Sequence, residues 1–268
     1  WTTTGHSDMF TLAIDGLKSA HYNEGCIDCH TLGFNTNSLA VNGGFDDVAT
    51  AEGWTFPAIL TNGNWLAMPD PLKEVSNIQC ENCHGAGSMH NGNINNISVS
   101  FTTGTCGQCH DEEPYHVKNL EWNNSTHAVA TSYPSGENRE SCVICHSAVG
   151  FVDRIDGATP VRVDYAAIGC VACHDPHSGA NPHQVRTVDP VTLNDTSNPG
   201  GATVVEDGGM GHLCMNCHQS RRDAATYVEE YHSHYGPHYG PQADMLAGVN
   251  AIDYGTPIPS SSHLVAIE

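Results

Sequence analysis

Twelve cysteines stand in this chain of 268 residues, and every one belongs to a Cys-x-x-Cys-His segment. The six segments are Cys26-Ile27-Asp28-Cys29-His30, Cys80-Glu81-Asn82-Cys83-His84, Cys106-Gly107-Gln108-Cys109-His110, Cys142-Val143-Ile144-Cys145-His146, Cys170-Val171-Ala172-Cys173-His174 and Cys214-Met215-Asn216-Cys217-His218. Two cysteines three apart on a helical turn project from one face, so both sulfurs reach the same bound group. The histidine next in sequence then lies beneath that group and offers a ring nitrogen to a metal at its centre. This spacing is the attachment signature of c-type haem. The cysteines are therefore expected to form thioethers to six covalently bound haem c groups. His30, His84, His110, His146, His174 and His218 are the expected proximal iron ligands.

Two other chemistries use paired cysteines. Zinc ribbons carry Cys-x-x-Cys, but zinc does not require a histidine after every second cysteine. A secreted disulfide framework needs an even cysteine count, which is met, yet not this fixed repeat. Six repeats that use up all the cysteines favour haem over both.

The elements that must hold these segments are short. Six haems in 268 residues leave one for about every 45 residues, too many to be guests in an ordinary core. The expected fold is mainly irregular chain with short α-helices and little β-structure, wrapped around stacked haems that serve as the core. Glycine (27) and proline (14) are spread throughout, stretches such as Asn91 to Asn96 read as loop, and no segment holds a helical hydrophobic period for long. Residues 1–268 are read as one hexahaem unit. It has two candidate lobes, 1–130 with the first three segments and 131–268 with the last three, parted near residues 131–138.

Charge is lopsided, with 9 Lys plus Arg against 30 Asp plus Glu and a formal charge of −21. A basic surface is the footprint of nucleic-acid binding, so that function is disfavoured. Solubility in an exposed compartment accounts for the acidity. Acidic runs such as Asp111-Glu112-Glu113 raise calcium as a candidate ligand, but no EF-hand loop is present. No apolar run of membrane-spanning length occurs. The chain opens at Trp1 without a signal peptide, and this haem attachment takes place outside the cytoplasmic membrane. The expectation is a mature, exported chain, extracellular or at the cell surface, or alternatively periplasmic, with no cysteine left for a lipid anchor.

Each iron needs a ligand on its far side. Of 18 histidines, six lie in the segments and twelve remain, against six methionines. The surplus argues for two histidines per iron, and such an iron has no open position. The expected distal ligands are His6, His90, His127, His177, His238 and His263, with His116 in reserve against His127. His6, His127 and His263 share a small-small-His context. His90 and His177 closely follow segment histidines, and His177 is too near His174 to reach the opposite face of the same haem. His238 sits in a stretch punctuated by glycine and proline. His21, His183, His212, His232 and His234 are ranked lower.

The sequence resembles multihaem c-type cytochromes of metal- and sulfur-reducing microbes. The likeness runs through Tyr22-Asn23, Cys29-His30-Thr31-Leu32-Gly33, Asn77-Ile78-Gln79-Cys80 and Cys145-His146-Ser147-Ala148-Val149-Gly150-Phe151. It continues through Cys217-His218-Gln219-Ser220-Arg221-Arg222 and Gly236-Pro237-His238-Tyr239-Gly240-Pro241. In longer chains of the group, a stretch like Ile258 to His263 tends to be followed by a further haem segment, whereas this sequence stops at Glu268. The group includes extracellular cytochromes that polymerise into conductive filaments through a histidine that ligates a neighbour's haem. The resemblance thus implies self-association, with His6 or His263 as the cross-subunit ligand, and as partners other cytochromes or extracellular electron acceptors.

Three functions compete. An electron conduit needs closely spaced haems, and Cys80 to Cys106 spans only 26 residues and Cys142 to Cys170 only 28. A multihaem reductase needs one iron with an open face, often signalled by lysine in place of the segment histidine, and all six segments end in histidine. A soluble periplasmic shuttle differs from a filament subunit only in assembly state. The conduit is the reading adopted, with no enzymatic activity.

Overall fold

Two of the longer helices in this chain are stopped by glycines. Gly53 ends Phe45–Glu52 with φ 64°, and Gly248 ends Gln242–Ala247 with φ 72°. Both positions need the left-handed backbone that glycine adopts without penalty. The computed structural model describes residues 1–128, 140–158, 167–194, 201–230 and 241–264. Among these, the longest helices are eight residues, at Phe45–Glu52, Thr103–His110 and Ala148–Ile155. The one sheet among the described residues is a two-stranded antiparallel pair, Val191–Thr192 with Val204–Val205. The fold is mostly irregular chain and short helices, as composition predicts.

The chain divides into two compact units. The first comprises Trp1–Ala130, Gly169–Val171 and Pro176–Ala180; the second comprises Thr131–Ile168, Ala172–Asp175 and Asn181–Glu268. In the first, Phe10, Ala13 and Ile14 share one face of the helix Met9–Ile14 and bury against Ile27, Phe45, Met68 and Leu72. The Phe10 and Phe45 rings meet edge to face, centres 5.3 Å apart. In the second, Val191, Leu193, Val205, Met215 and Ala243 form a smaller cluster.

Buried residues inside the Cys-x-x-Cys-His segments explain how the segments are aimed. All six segments start on helical turns, and in each a residue between the cysteines acts as the anchor. Ile27, Val143, Ala172 and Met215 are buried, which leaves their flanking cysteines on the outer side of the turn. Burial of Ile27, Val143 or Met215 contributes about 1.5–3 kcal/mol each, and the single methyl of Ala172 less. Gly107 lies against the Asn119 side chain. Asn82 is held by hydrogen bonds instead, accepting from the Gln79 N–H at 2.8 Å. Val143 rests beneath the helix Ala148–Ile155, where Gly150 passes so close that a Cβ would collide with the Val143 carbonyl oxygen.

Candidate functional site

A histidine that binds metal through Nε2 donates its Nδ1–H to an acceptor, which fixes its tautomer and orientation. Three segment histidines are held in this way. His84 Nδ1 lies 2.6 Å from the Ser98 carbonyl, His174 Nδ1 2.9 Å from the His183 carbonyl and His218 Nδ1 3.0 Å from Gln242 Oε1. The His174 contact is braced at its base, where the Asp175 N–H donates to Gln184 and the Arg186 N–H donates to Cys173, both at 2.8 Å. His183 supplies its carbonyl from a left-handed backbone, φ 53°.

In the first unit, each segment histidine faces a second histidine ring. His30 and His116 have ring centres 6.1 Å apart, His110 and His6 6.1 Å, and His84 and His177 6.0 Å. An imidazole nitrogen stands about 2 Å from its metal, so two rings bonded on opposite sides of one metal have centres about 6 Å apart. All three pairs match that spacing. His116 is also 6.2 Å from His110. One pairing serves both segment histidines, His116 with His30 and His6 with His110.

The partner rings are positioned from remote parts of the unit. The His6 carbonyl accepts from Ile78, just ahead of the second segment, while the Trp1 indole donates to the Ile78 carbonyl at 3.0 Å. His177 is held through Gly179, whose N–H donates to Thr3 Oγ1 at 3.0 Å. The His116 N–H donates to the Glu112 carbonyl at 2.9 Å.

Electrostatics favour neutral rings. Burial, and then the neighbouring His116, hold His30 down at about 4, and burial also lowers His6. A neutral imidazole keeps the lone pair that a metal requires.

A cavity of about 590 Å³ opens beside the first segment, lined by Cys26, Cys29, His30, Tyr22, Tyr115 and His116 among others. Cofactor sites span roughly 300–1,000 Å³. The buried Tyr22 hydroxyl and His30 Nδ1 have no protein partner there. The cavity and the spacing of the His30 and His116 rings fit a haem bonded to Cys26, Cys29 and these two histidines.

The cysteines are all free of disulfides, and some approach the backbone of another segment. Cys109 Sγ lies 3.8 Å from the Cys29 carbonyl, Cys29 Sγ 4.0 Å from the Gln108 carbonyl, and Cys145 Sγ 3.9 Å from the Asn216 carbonyl. Arg154 braces the last pair, donating to the Asn216 carbonyl at 2.6 Å and lying 3.7 Å from Cys145 Sγ.

The remaining histidines fall in varied places. His127 is exposed and stacks on Trp122, ring centres 5.5 Å apart. His90 ends the helix Gly87–His90 with a buried Nδ1 that lacks a hydrogen-bond partner. His263 is exposed beside Ser261, and His238 lies outside the described residues. His212 is fully buried, its Nδ1 2.8 Å from the Val188 carbonyl and its Nε2 accepting from the Gly208 N–H. Both of its nitrogens are engaged, as in a core histidine. His116, ranked behind His127, is the ring that faces a segment histidine; the turn-forming Pro114 just before it is the sequence signal that could have raised it. Asp111 accepts from the Leu120 N–H at 2.9 Å and from Asn119 at 3.1 Å. That carboxylate caps a helix start, and no group of three or more His, Cys, Asp or Glu suited to a metal ion occurs among the described residues.

No family model matches the chain. Over 181 residues, 58% of the chain, it is 23% identical to the multiheme cytochrome MtrA of Shewanella baltica (strain OS185) and spans 46% of that protein. Among solved structures, the undecaheme cytochrome from the S-layer of Carboxydothermus ferrireducens aligns with 72% of the chain and 31% of its own length, at TM-score 0.47 and 21% identity. The chain spans less than half the length of either. It is similar to multihaem cytochromes.

Proposed function

We propose that this chain carries haem c on its six Cys-x-x-Cys-His segments and passes electrons between them, as part of extracellular electron transfer. The observation that carries this reading is the second histidine ring 6.0–6.1 Å from each of His30, His84 and His110. Haem iron between two imidazoles supplies one-electron transfer without an open coordination position. The cysteines tether the group, the segment histidines bind from one side, and His116, His177 and His6 close the other in the first unit. Similarity to a multiheme cytochrome supports the same reading.

Assembly into a filament follows as a finer part of this proposal. His6 is turned toward His110 of its own chain, so His263 is the better candidate for a cross-subunit ligand. It is exposed, and its ring lies beside the neighbouring Ser261 hydroxyl.

Intact mass and haem content of the exported protein test the count, with six haems per chain expected. Carbon monoxide added to the reduced protein tests ligation, and no binding is expected. A carbon monoxide complex would mean an open iron and support a reductase. Electron microscopy of wild type and His263→Ala tests assembly; filaments that persist in the variant would defeat the His263 link.

A further inference from the structure

Residues Trp1 to Ser7 carry one partner histidine and hold another. His6 faces His110, and the Ile78 N–H donates to the His6 carbonyl at 3.2 Å. The Trp1 indole donates to the Ile78 carbonyl at 3.0 Å, so both backbone polar groups of Ile78, just ahead of Cys80, are bound by this segment. On its other side, the Trp1 nitrogen donates to the His177 carbonyl, and the Gly179 N–H donates to Thr3 Oγ1 at 3.0 Å. Gly179 passes so close that a Cβ there would collide with the Thr3 carbonyl oxygen.

The segment is also tied within itself. The Thr4 N–H and the Thr4 hydroxyl both donate to the Trp1 carbonyl at 2.8 Å, and the Ser7 hydroxyl donates to the Thr4 carbonyl at 2.8 Å. Thr4 is buried. A stretch closed in this way leaves its neighbours as one piece, since local opening proceeds in cooperative units. Separation from the His177 backbone then pulls on His6.

We infer that Trp1 to Ser7 form a clamp common to two irons, with Thr3 as the positioning residue that links them. Loss of the Thr3–Gly179 contact loosens His177 opposite His84 and His6 opposite His110 together. The inference rests on the haem reading proposed above. His116, which faces His30, has its N–H tied to the Glu112 carbonyl instead, so the first iron lies outside the clamp.

Haem content of the purified chain is measured first, and a chain without haem would defeat the proposed function itself. Cyanide is then the probe, because it binds a closed ferric iron only after a histidine lets go. His177→Ala and His6→Ala mark the spectra of the opened second and third irons. Thr3→Val should raise the cyanide rate at both irons by a common factor, up to about tenfold for one lost hydrogen bond. The first iron should keep its wild-type rate, and Thr3→Ser should restore the other two. A rise at one iron alone, at all three or at none would overturn the clamp. An unaltered chain whose second or third iron takes carbon monoxide at once would defeat the two-histidine reading instead. Should the variants fail to load haem, hydrogen exchange on the unaltered protein decides. The Gly179 and Ile78 amides should then show equal protection, and unequal protection would overturn the clamp.

Discussion

Asn82, inside the second Cys-x-x-Cys-His segment, donates its side-chain amide to the Thr31 carbonyl at 2.9 Å, one residue past the first. The same side chain accepts from the Gln79 N–H at the start of its own helix. Thr31 is itself buried, its hydroxyl donating to the Ile27 carbonyl at 2.7 Å. One asparagine thus joins two attachment segments. Asn82→Ala removes both bonds and should cost about 1–3 kcal/mol. Denaturant unfolding of the haem-loaded protein should show an earlier midpoint, whereas an unchanged midpoint would mean that the link carries no energy.

His116 and His127 compete for one role, and their surroundings separate them. His116→Ala should open the iron of the first segment, giving a high-spin signal and carbon monoxide binding. His127→Ala should leave both readouts as in wild type, because that ring stacks on Trp122. The reverse result would exchange the two assignments.

Gly150→Ala sets a Cβ against the Val143 carbonyl. Overpacking of this kind costs about 1–3 kcal/mol. The loss should appear as a lower thermal midpoint of the second unit, while segments of the first unit keep their spectra. A midpoint equal to wild type would show that the helices Glu140–His146 and Ala148–Ile155 part without cost.

His212→Phe removes the partner of the buried Gly208 N–H and of the part-buried Val188 carbonyl. Each orphaned group costs about 1–3 kcal/mol. Stability should fall with no change in iron ligation, as read by low-spin resonance. A new high-spin signal would make His212 a ligand instead.

The cysteines and the histidines that follow them were legible because their chemistry is local: five consecutive residues on one helical turn. That the helices would be short was legible too, since glycine and proline are spread throughout the chain. The partner rings were not, because His6 and His110, or His84 and His177, meet only through the folding of distant chain. His6 and His177 stood out by context, while His116 was obscured by His127 in the same linker. The cluster around Phe10, Phe45 and Leu72 was equally hidden, since each contributing helix is too short to display a period.

The hydrogen bonds at Nδ1 carry a consequence for the energy levels along the path. A ring that shares its Nδ1 proton with an acceptor pushes more electron density onto the metal and favours the ferric state, which lowers the reduction potential. His84, His174 and His218 are of this type, and their acceptors are a carbonyl, a carbonyl and an amide oxygen. His30 is not, for its Nδ1 is buried without an acceptor. The iron above His30 should therefore take up an electron at a more positive potential than those above the other three. The first segment then becomes the place where charge comes to rest when supply exceeds demand.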